Sequence, residues 1–484
     1  MKFTAKKYFV LFILLVLGNV SFGQNFVDAY RLINSGVLSN AANLGMGNAT
    51  MAVFTGYGNY LTNPAVLGKA ANSELVLSYY YDQQKNTSTF FGSSLSDNQS
   101  SNNVNEFGML YKVPTVQGSF VIGFGYHNVK DFNSINTFSG FNSGNNSLIQ
   151  DLTSRNSDLT YDLRLSHSVF DQDGNYLYDE TFIDGMLQQS GTIRESGTLS
   201  NWALFTSVEV DKDLFLGGSL NLYGGNYSND REYSEYDSKN NYGDNLQIDP
   251  DDPLTIDFRE FYMNDNIKWD LSAWNFTGGF FYNFKNFIRF AGTVETPIYY
   301  KIKEAYFVRG SSYFKNDYGY DVQPQQSNSE YEIKTPVKVG FGLSINTKIL
   351  EVSAQAHISD YTQTEFTKGF SNAVLSDLNK EIKDNFKAAP DFQAGAVIHL
   401  PEIDIDLRAG GMYFVSPYKN DTKENDRKYL TAGVGFFRHK SFSFDIAALY
   451  GFWKDYTDIY GNGEARIYRD VKDYRATLTM TYRF

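Results

Sequence analysis

From Phe442 to Phe452 the chain reads FSFDIAALYGF, and every second residue (Phe442, Phe444, Ile446, Ala448, Tyr450, Phe452) is apolar or aromatic. The residues between are Ser443, Asp445, Ala447, Leu449 and Gly451. A period of two is strand geometry, because successive side chains point to opposite faces. The same dyad runs through GSFVIGFGY, with Phe120, Ile122, Phe124 and Tyr126 on one face, and through PVKVGFGLSI, with Val337, Val339, Phe341, Leu343 and Ile345. In IDIDLRAGGMY, Ile403, Ile405, Leu407 and Ala409 alternate with Asp404, Asp406, Arg408 and Gly410. The chain closes on DYRATLTMTYRF, where Tyr474, Ala476, Leu478, Met480, Tyr482 and Phe484 share a face opposite Arg475, Thr477, Thr479, Thr481 and Arg483. Segments of about ten residues, apolar on one face and polar or small on the other, are the signature of strands that cross a lipid bilayer.

About 14 such segments are found. They begin near Ser73, Asn103, Gly118, Thr198, Asp213, Ala273, Asn286, Thr335, Ile349, Ala389, Ile403, Arg427, Ser441 and Asp473. Short connections (PTVQ, DKD, FKN, NTK, LPE, RHK) alternate with long ones rich in Asn, Ser, Asp, Gly and Tyr, the longest being Val129 to Gly197, Ser228 to Ser272 and Pro297 to Lys334. An antiparallel barrel with an even strand count needs that alternation, with both ends of the sheet on the short-turn side. A soluble β-sandwich would share the period of two. It would not account for the alternating turn lengths or for inner faces that are polar and glycine-rich in nearly every strand. The fold class expected is an all-β, transmembrane antiparallel β-barrel over residues 73–484.

The start of the chain reads as a targeting segment. Lys2, Lys6 and Lys7 precede the apolar run YFVLFILLVLG, and Ser21 and Gly23 place small residues before a cleavage ahead of Gln24, so residues 1–23 are expected to be a signal peptide. The apolar run is shorter than the roughly 20 residues a helical anchor needs. Beyond it no apolar stretch is long enough for a helical span, and the mean hydropathy of the whole chain is −0.38. An exported chain that enters lipid without helices must do so as a closed barrel, since every backbone polar group has to be satisfied internally. The net charge of −13 argues against nucleic acid as a partner, because that affinity rests on cations neutralising phosphates. With no cysteine, the protein uses no disulfide.

Two segments depart from the dyad. SNAVLSDLNKEIKDNF places Val374, Leu375, Leu378, Ile382 and Phe386 at helical spacing behind Ser371 as N-cap, which predicts a helix in a long loop, over the barrel mouth. Residues 24–72 carry no sustained alternation and precede the first strand. A barrel of about 14 strands would otherwise leave an aqueous channel, and such a leader can fill it as a hatch.

Within that leader, NLGMGNA (Asn43 to Ala49) and NPAVL (Asn63 to Leu67) resemble the N-terminal hatch of the FadL-like family of outer-membrane transporters for long-chain fatty acids and other hydrophobic compounds. LRAGGMYFVSP and DRKYLTAGVGF, between Leu407 and Phe436, follow in family-like order, and ETPIYYK and KTPVKVGFGL are weaker echoes. The resemblance covers the leader and the C-terminal half; residues 129–272 match poorly. It implies a plugged barrel in the outer membrane that passes hydrophobic small molecules passively, without cofactor or covalent step. It implies that Asn63, Pro64 and Ala65 form a rigid hatch turn, and that ligand leaves sideways near the third strand, where Gly123 and Gly125 face inward. Tyr482 and Phe484 would be the signal read by the barrel assembly machinery, and the protein would work as a monomer among outer-membrane lipids. A related barrel that shuttles cargo in type IX secretion suggests an alternative role, a scaffold for protein contacts through the tyrosine-rich loops.

No catalytic constellation emerges. His127, His167, His357, His399 and His439 show no metal-ligand spacing, and no cysteine is present to complete a zinc site. DQDGNYLYDE (Asp171 to Glu180) has Gly at the fourth position where a calcium loop needs it at the sixth, so an Asp-Gly turn is the better reading. DPDDP (Asp249 to Pro253) reads as a solvated turn. Arg408 stands out as an inward-facing cation beside Asp404 and Asp406. It belongs either to an ion-pair network of the lumen or to a site that anchors an acidic headgroup or the hatch.

Overall fold

A computed structural model describes residues 26–33, 36–37, 39–155, 157–437 and 440–484. The proposed signal peptide and His439 lie outside the described residues. Fourteen antiparallel strands close into one barrel: β1 (Glu74–Phe90), β2 (Ser93–Val113), β3 (Phe120–Asp131, continuing as Ser134–Phe141), β4 (Gln188–Asp211), β5 (Leu214–Tyr236), β6 (Glu260–Phe284), β7 (Ile288–Glu295 and Tyr299–Tyr313), β8 (Gly319–Lys334 and Lys338–Asn346), β9 (Leu350–Asp360), β10 (Ala388–Leu400), β11 (Ile405–Phe414), β12 (Arg427–Phe436), β13 (Phe442–Asp458) and β14 (Arg466–Arg483). The interruptions in β7 and β8 fall at Pro297 and Pro336, which have no N–H to give to a ladder. Closure comes from β1 against β14, from Glu74 opposite Arg483 to Thr89 opposite Tyr468.

The alternation read from the sequence becomes an inverted burial pattern. Leu204 and Phe341 point outward and are 61% and 60% exposed, whereas Ser207 and Ser344 point inward and are 0% and 1% exposed. A band of outward Leu, Ile, Val and Phe, edged by Trp202, Trp274, Tyr299 and Tyr482, surrounds the sheet. In water such a surface would be costly; in a hydrocarbon layer it is the surface that the solvent demands.

The strands are longer than the dyad suggested. Much of what reads as long loop is strand: Ser134–Phe141, the first half of β4, the second half of β5, the first half of β6 and most of the β7–β8 hairpin. Above the apolar band the outer faces of these extensions turn polar while inner residues such as Tyr233, Phe261 and Tyr306 pack on the upper core, so the outward-apolar alternation is lost while cross-strand pairing continues. β4, β5 and β6 reach 24, 23 and 25 residues, but β9 to β12 only 11, 13, 10 and 10. The rim is therefore high on one side and low over β9–β12. A second correction concerns Asp404: it sits in the turn with φ 55°, and β11 begins at Ile405.

Three cores stack inside this tube. At the short-turn end, residues 39–70 pack against the inner wall. Above them lies α1 (Phe26–Ile33), whose Ala29, Leu32 and Ile33 pack among Trp269, Tyr300, Tyr331 and Phe366. At the long-loop end, the β3–β4 connection folds into α3 (Leu148–Ser154) and α4 (Asp158–Asp162), roofed by residues from β1, β4 to β7 and the β13–β14 loop. The second of the five helices named here by position, α2 (Ala41–Gly45), belongs to the lowest core. The helix expected behind Ser371 is α5 (Asn372–Asn385), capped by the Ser371 hydroxyl accepting from Val374 N–H. It packs through Leu378 and Ile382, with Phe386 just beyond, and Val374 is left exposed. Covering the low rim, α5 meets α1 through the Phe26 and Phe386 rings at 6.1 Å.

Candidate functional site

The lumen begins with local backbone choices in the N-terminal segment. Asn40 caps α2 by accepting from Asn43 N–H at 2.9 Å, and Gly47 and Asn48 then take φ 60° and 55° to reverse the chain. The reversal lies on a glycine strip of the wall. Gly395 and Gly410 face the Met46–Gly47 backbone, and Gly433 faces Gly45, so a Cβ at any of the three would strike main chain. Asn59 ties the next loop together, giving its amide to Thr50 O and Val53 O and accepting from Thr55 N–H.

Asn63, Pro64 and Ala65 form the turn that the sequence singled out. The Asn63 amide donates to Met51 O at 3.1 Å and to Phe280 O of β6 at 3.0 Å, and its oxygen accepts from Ala65 N–H. Pro64 opens a 3₁₀ turn, Pro64–Lys69, where its fixed φ suits the first position and no N–H is missed. Ala65 O accepts from Ser207 of β4 at 2.7 Å. Other contacts circle the wall. Ala41 N–H donates to Thr479, Met51 N–H to Gln355, Tyr57 N–H to Glu74 and Gly68 N–H to Ser207, while the Ser344 hydroxyl donates to Ala52 O. The inner faces that read as polar in the sequence are thus the partners of a buried irregular segment, whose backbone groups must all be bonded.

Gly123 and Gly125 face this segment but stand in an intact ladder, from Glu106 opposite His127 to Val113 opposite Phe120. The discontinuity of β3 lies above both, with a bulge at Val129 and a break after Asp131. The Phe205 ring covers Gly123, and the Tyr57 hydroxyl occupies the space over Gly125 and its cross-strand partner Gly108. Tyr57, Tyr60 and Phe205 form one aromatic stack, Tyr60 and Phe205 at 4.8 Å. Sequence reasoning passed over Tyr57; the inward glycines on adjacent strands announced that something bulky approaches, but not which residue.

Arg408 is buried and bonded on two sides, to Asp406 at 2.9 Å and to Asp445 of β13 at 2.7 Å, with Gly45 of α2 against its stem. Asp406 also meets His399 Nδ1 at 2.8 Å. Asp445 takes the place expected for Asp404, because a strand neighbour reaches across the ladder where a turn residue does not. At the seam, Phe484 exchanges two main-chain hydrogen bonds with Ser73, and its ring stacks on Tyr482 at 5.9 Å.

On the low side of the rim a cavity of about 90 Å³ opens between α1 and β8–β12. Tyr30, Ile33, Tyr361 and Phe414 supply an apolar side; Lys338, Arg427, Asp391 and Gln393 supply a polar one. Its floor is Asn48 of the N-terminal segment. Burial pushes the Tyr30 phenol up to about 12, with Arg427 opposing, so it stays a neutral hydroxyl. Neither the loop Asp171–Glu180 nor Asp249–Pro253 is arranged as a cation cage. Asp171 accepts from Asp173 N–H and Asn175 N–H in a turn with Gly174 at φ 79°, and Asp249 accepts from Asp251 N–H. Among the described residues no three His, Asp or Glu side chains converge as metal ligands.

No family model matches the sequence, and no curated protein does. Solved structures match over nearly the whole chain. A FadL homologue of Pseudomonas aeruginosa is 11% identical with a TM-score of 0.59, covering 93% of this chain and 99% of its own. The toluene transporter TodX of Pseudomonas putida is 10% identical with a TM-score of 0.55, over 92% and 98%. The toluene transporter TbuX of Ralstonia pickettii is 13% identical with a TM-score of 0.51, over 93% and 99%. The fold is that of these FadL-type barrels.

Proposed function

We propose that this chain is an outer-membrane uptake channel for hydrophobic small molecules such as long-chain fatty acids, with residues 24–72 as its hatch and 1–23 as its export signal. The observation that carries the reading is the seal at residues 39–70. A 14-stranded barrel is wide enough for water, and here a segment of its own chain packs against the inner wall through hydrogen bonds that are mostly neutral. Such a plug blocks ions while single bonds to Thr479, Gln355 or Ser207 remain exchangeable for a passing ligand. The amphipathic cavity under the low rim supports an amphipathic cargo, with room for its head toward Lys338 and Arg427 and for the adjoining methylenes beside Tyr30, Ile33 and Phe414. The shared fold with transporters of toluene supports hydrophobic cargo in general.

In this reading the Arg408–Asp406–Asp445 group orients the wall against α2, Asn63–Pro64–Ala65 fixes the hatch to β4 and β6, and Tyr482 and Phe484 guide assembly as a monomer. No step needs a cofactor. Native mass spectrometry of the detergent-purified protein after incubation with oleic acid tests it. A bound fatty acid, displaced when Lys338 and Arg427 are both changed to Met, is the expected result. Failure of oleic acid and of toluene alike to bind would remove the uptake reading and leave the scaffold role through the long loops.

A further inference from the structure

The β3–β4 connection carries a hairpin that no part of the transport reading uses. His167–Phe170 pairs only with Tyr176–Glu180, as a two-stranded sheet of its own among the described residues. Its root is firm: Leu165, Ile183 and Leu187 are buried in the upper core, and Ser168 donates to Asp179 at 2.6 Å. Its tip is not covered. Phe170, Tyr176, Leu177 and Tyr178 are each about half exposed, between 49% and 57%. Phe170 and Tyr176 stand together across the pair, ring centres 6.2 Å apart.

The formal charge of this segment has one sign, with His167 Nε2 at 3.3 Å from the Glu180 carboxylate. Between Leu165 and Ile193 the sequence holds Asp171, Asp173, Asp179, Glu180 and Asp184 and not one Lys or Arg. A two-stranded sheet keeps an outer edge whose main-chain donors and acceptors pair with no further strand, which is a template for another strand. Acidic side chains discourage a second copy of the same hairpin, and they attract a cation. Together these features select the occupant: an extended segment that supplies main-chain bonds to the edge, apolar side chains to the aromatic tip, and Lys or Arg to the carboxylates. We propose that the hairpin His167–Glu180 is a docking edge for an extended, lysine- or arginine-bearing segment of another protein, which adds to it as a third strand.

The test uses full-length protein in detergent and a fluorescein-labelled peptide of alternating Lys and Val, read by fluorescence anisotropy at low ionic strength. Three comparisons decide. N-methylation of the amides along one peptide edge should weaken binding by about tenfold or more, since it removes main-chain donors. A Glu–Val peptide should not bind. The combined change Tyr176→Ser, Leu177→Ser, Tyr178→Ser should weaken the Lys–Val peptide to a similar degree, in a protein whose gel mobility still shifts on boiling. Absence of binding by the Lys–Val peptide, or binding indifferent to N-methylation or to the serine changes, would overturn the proposal. In that event the acids simply guard an edge against association.

Discussion

Tyr57 stands where a side chain on Gly125 would have to be: a Cβ there would overlap the tyrosine hydroxyl, which donates to Phe107 O at 3.3 Å. A residue of the N-terminal segment and a glycine of the third strand are thus two halves of one packing solution. Gly125→Ala is expected to destabilise the barrel by about 1–3 kcal/mol, the usual cost of overpacking. The readout is the temperature at which the compact form on a denaturing gel is lost. Gly125→Ala combined with Tyr57→Phe, which removes the clashing oxygen, should recover part of that loss. A double variant worse than the sum of its parts would mean that Tyr57 is not what the glycine accommodates.

The Asn63–Pro64–Ala65 turn can be loosened without touching the sheet. Asn63→Ala leaves Met51 O and Phe280 O without their donor, at a cost of about 1–3 kcal/mol for a buried group. In a planar bilayer, more frequent open events than in the intact protein are expected. Deletion of residues 39–70 should give a steady aqueous pore lined by Arg408, Lys338, Ser344 and Thr479. Equal conductance with and without the segment would refute the plug.

Arg408 neutralises two buried carboxylates at once. Arg408→Met strands Asp406 and Asp445 and should cost about 3–5 kcal/mol. Changing all three, Arg408→Met with Asp406→Asn and Asp445→Asn, should be milder, because no uncompensated charge remains. Thermal loss of the compact gel form ranks the variants.

Glu235 gives the upper core a pH dependence. Far beyond the apolar band on β5, its carboxylate accepts from Leu148 N–H at 2.7 Å, Ile149 N–H, Gln189, Tyr233 and Tyr460. Burial outweighs these donors and raises its pKa from 4.5 to about 7. The folded form therefore holds its proton more tightly than the unfolded form does. Its contribution is fully present below pH 4.5 and is lost as pH rises through about 7. Hydrogen exchange of residues 141–187 should be slower at pH 5 than at pH 8 after correction for intrinsic rates. Glu235→Gln should flatten the difference; if it does not, another group is responsible.

Removing Phe484 deletes two main-chain hydrogen bonds to Ser73 and the aromatic end of the closing strand. Assembly should suffer more than stability, so membrane levels of the truncated chain should fall while any barrel that forms keeps its heat resistance. Normal levels would count against Phe484 as an assembly signal.

Period two in about 14 segments, from Ser73 to Phe484, was enough to determine the barrel, the number of its strands and the face each presents outward. That is because a strand's side-chain direction depends on residue parity alone, and an apolar exterior with a polar interior leaves few closed sheets to choose from. The Ser371 cap was legible for the same kind of reason, since its chemistry lies within three residues. What the sequence could not disclose involves residues far apart in the chain. Asp445 replaces Asp404 beside Arg408 because register brings β13 within reach and a turn carries Asp404 away. Tyr57 meets Gly125 because an irregular segment has no period to read, and its path is decided by which wall groups can satisfy its backbone. The low rim over β9–β12 and the triple-stacked lumen arise likewise: above the apolar band, strand length is set by cross-strand pairing and by packing under the upper core, neither of which leaves an alternating mark on the chain.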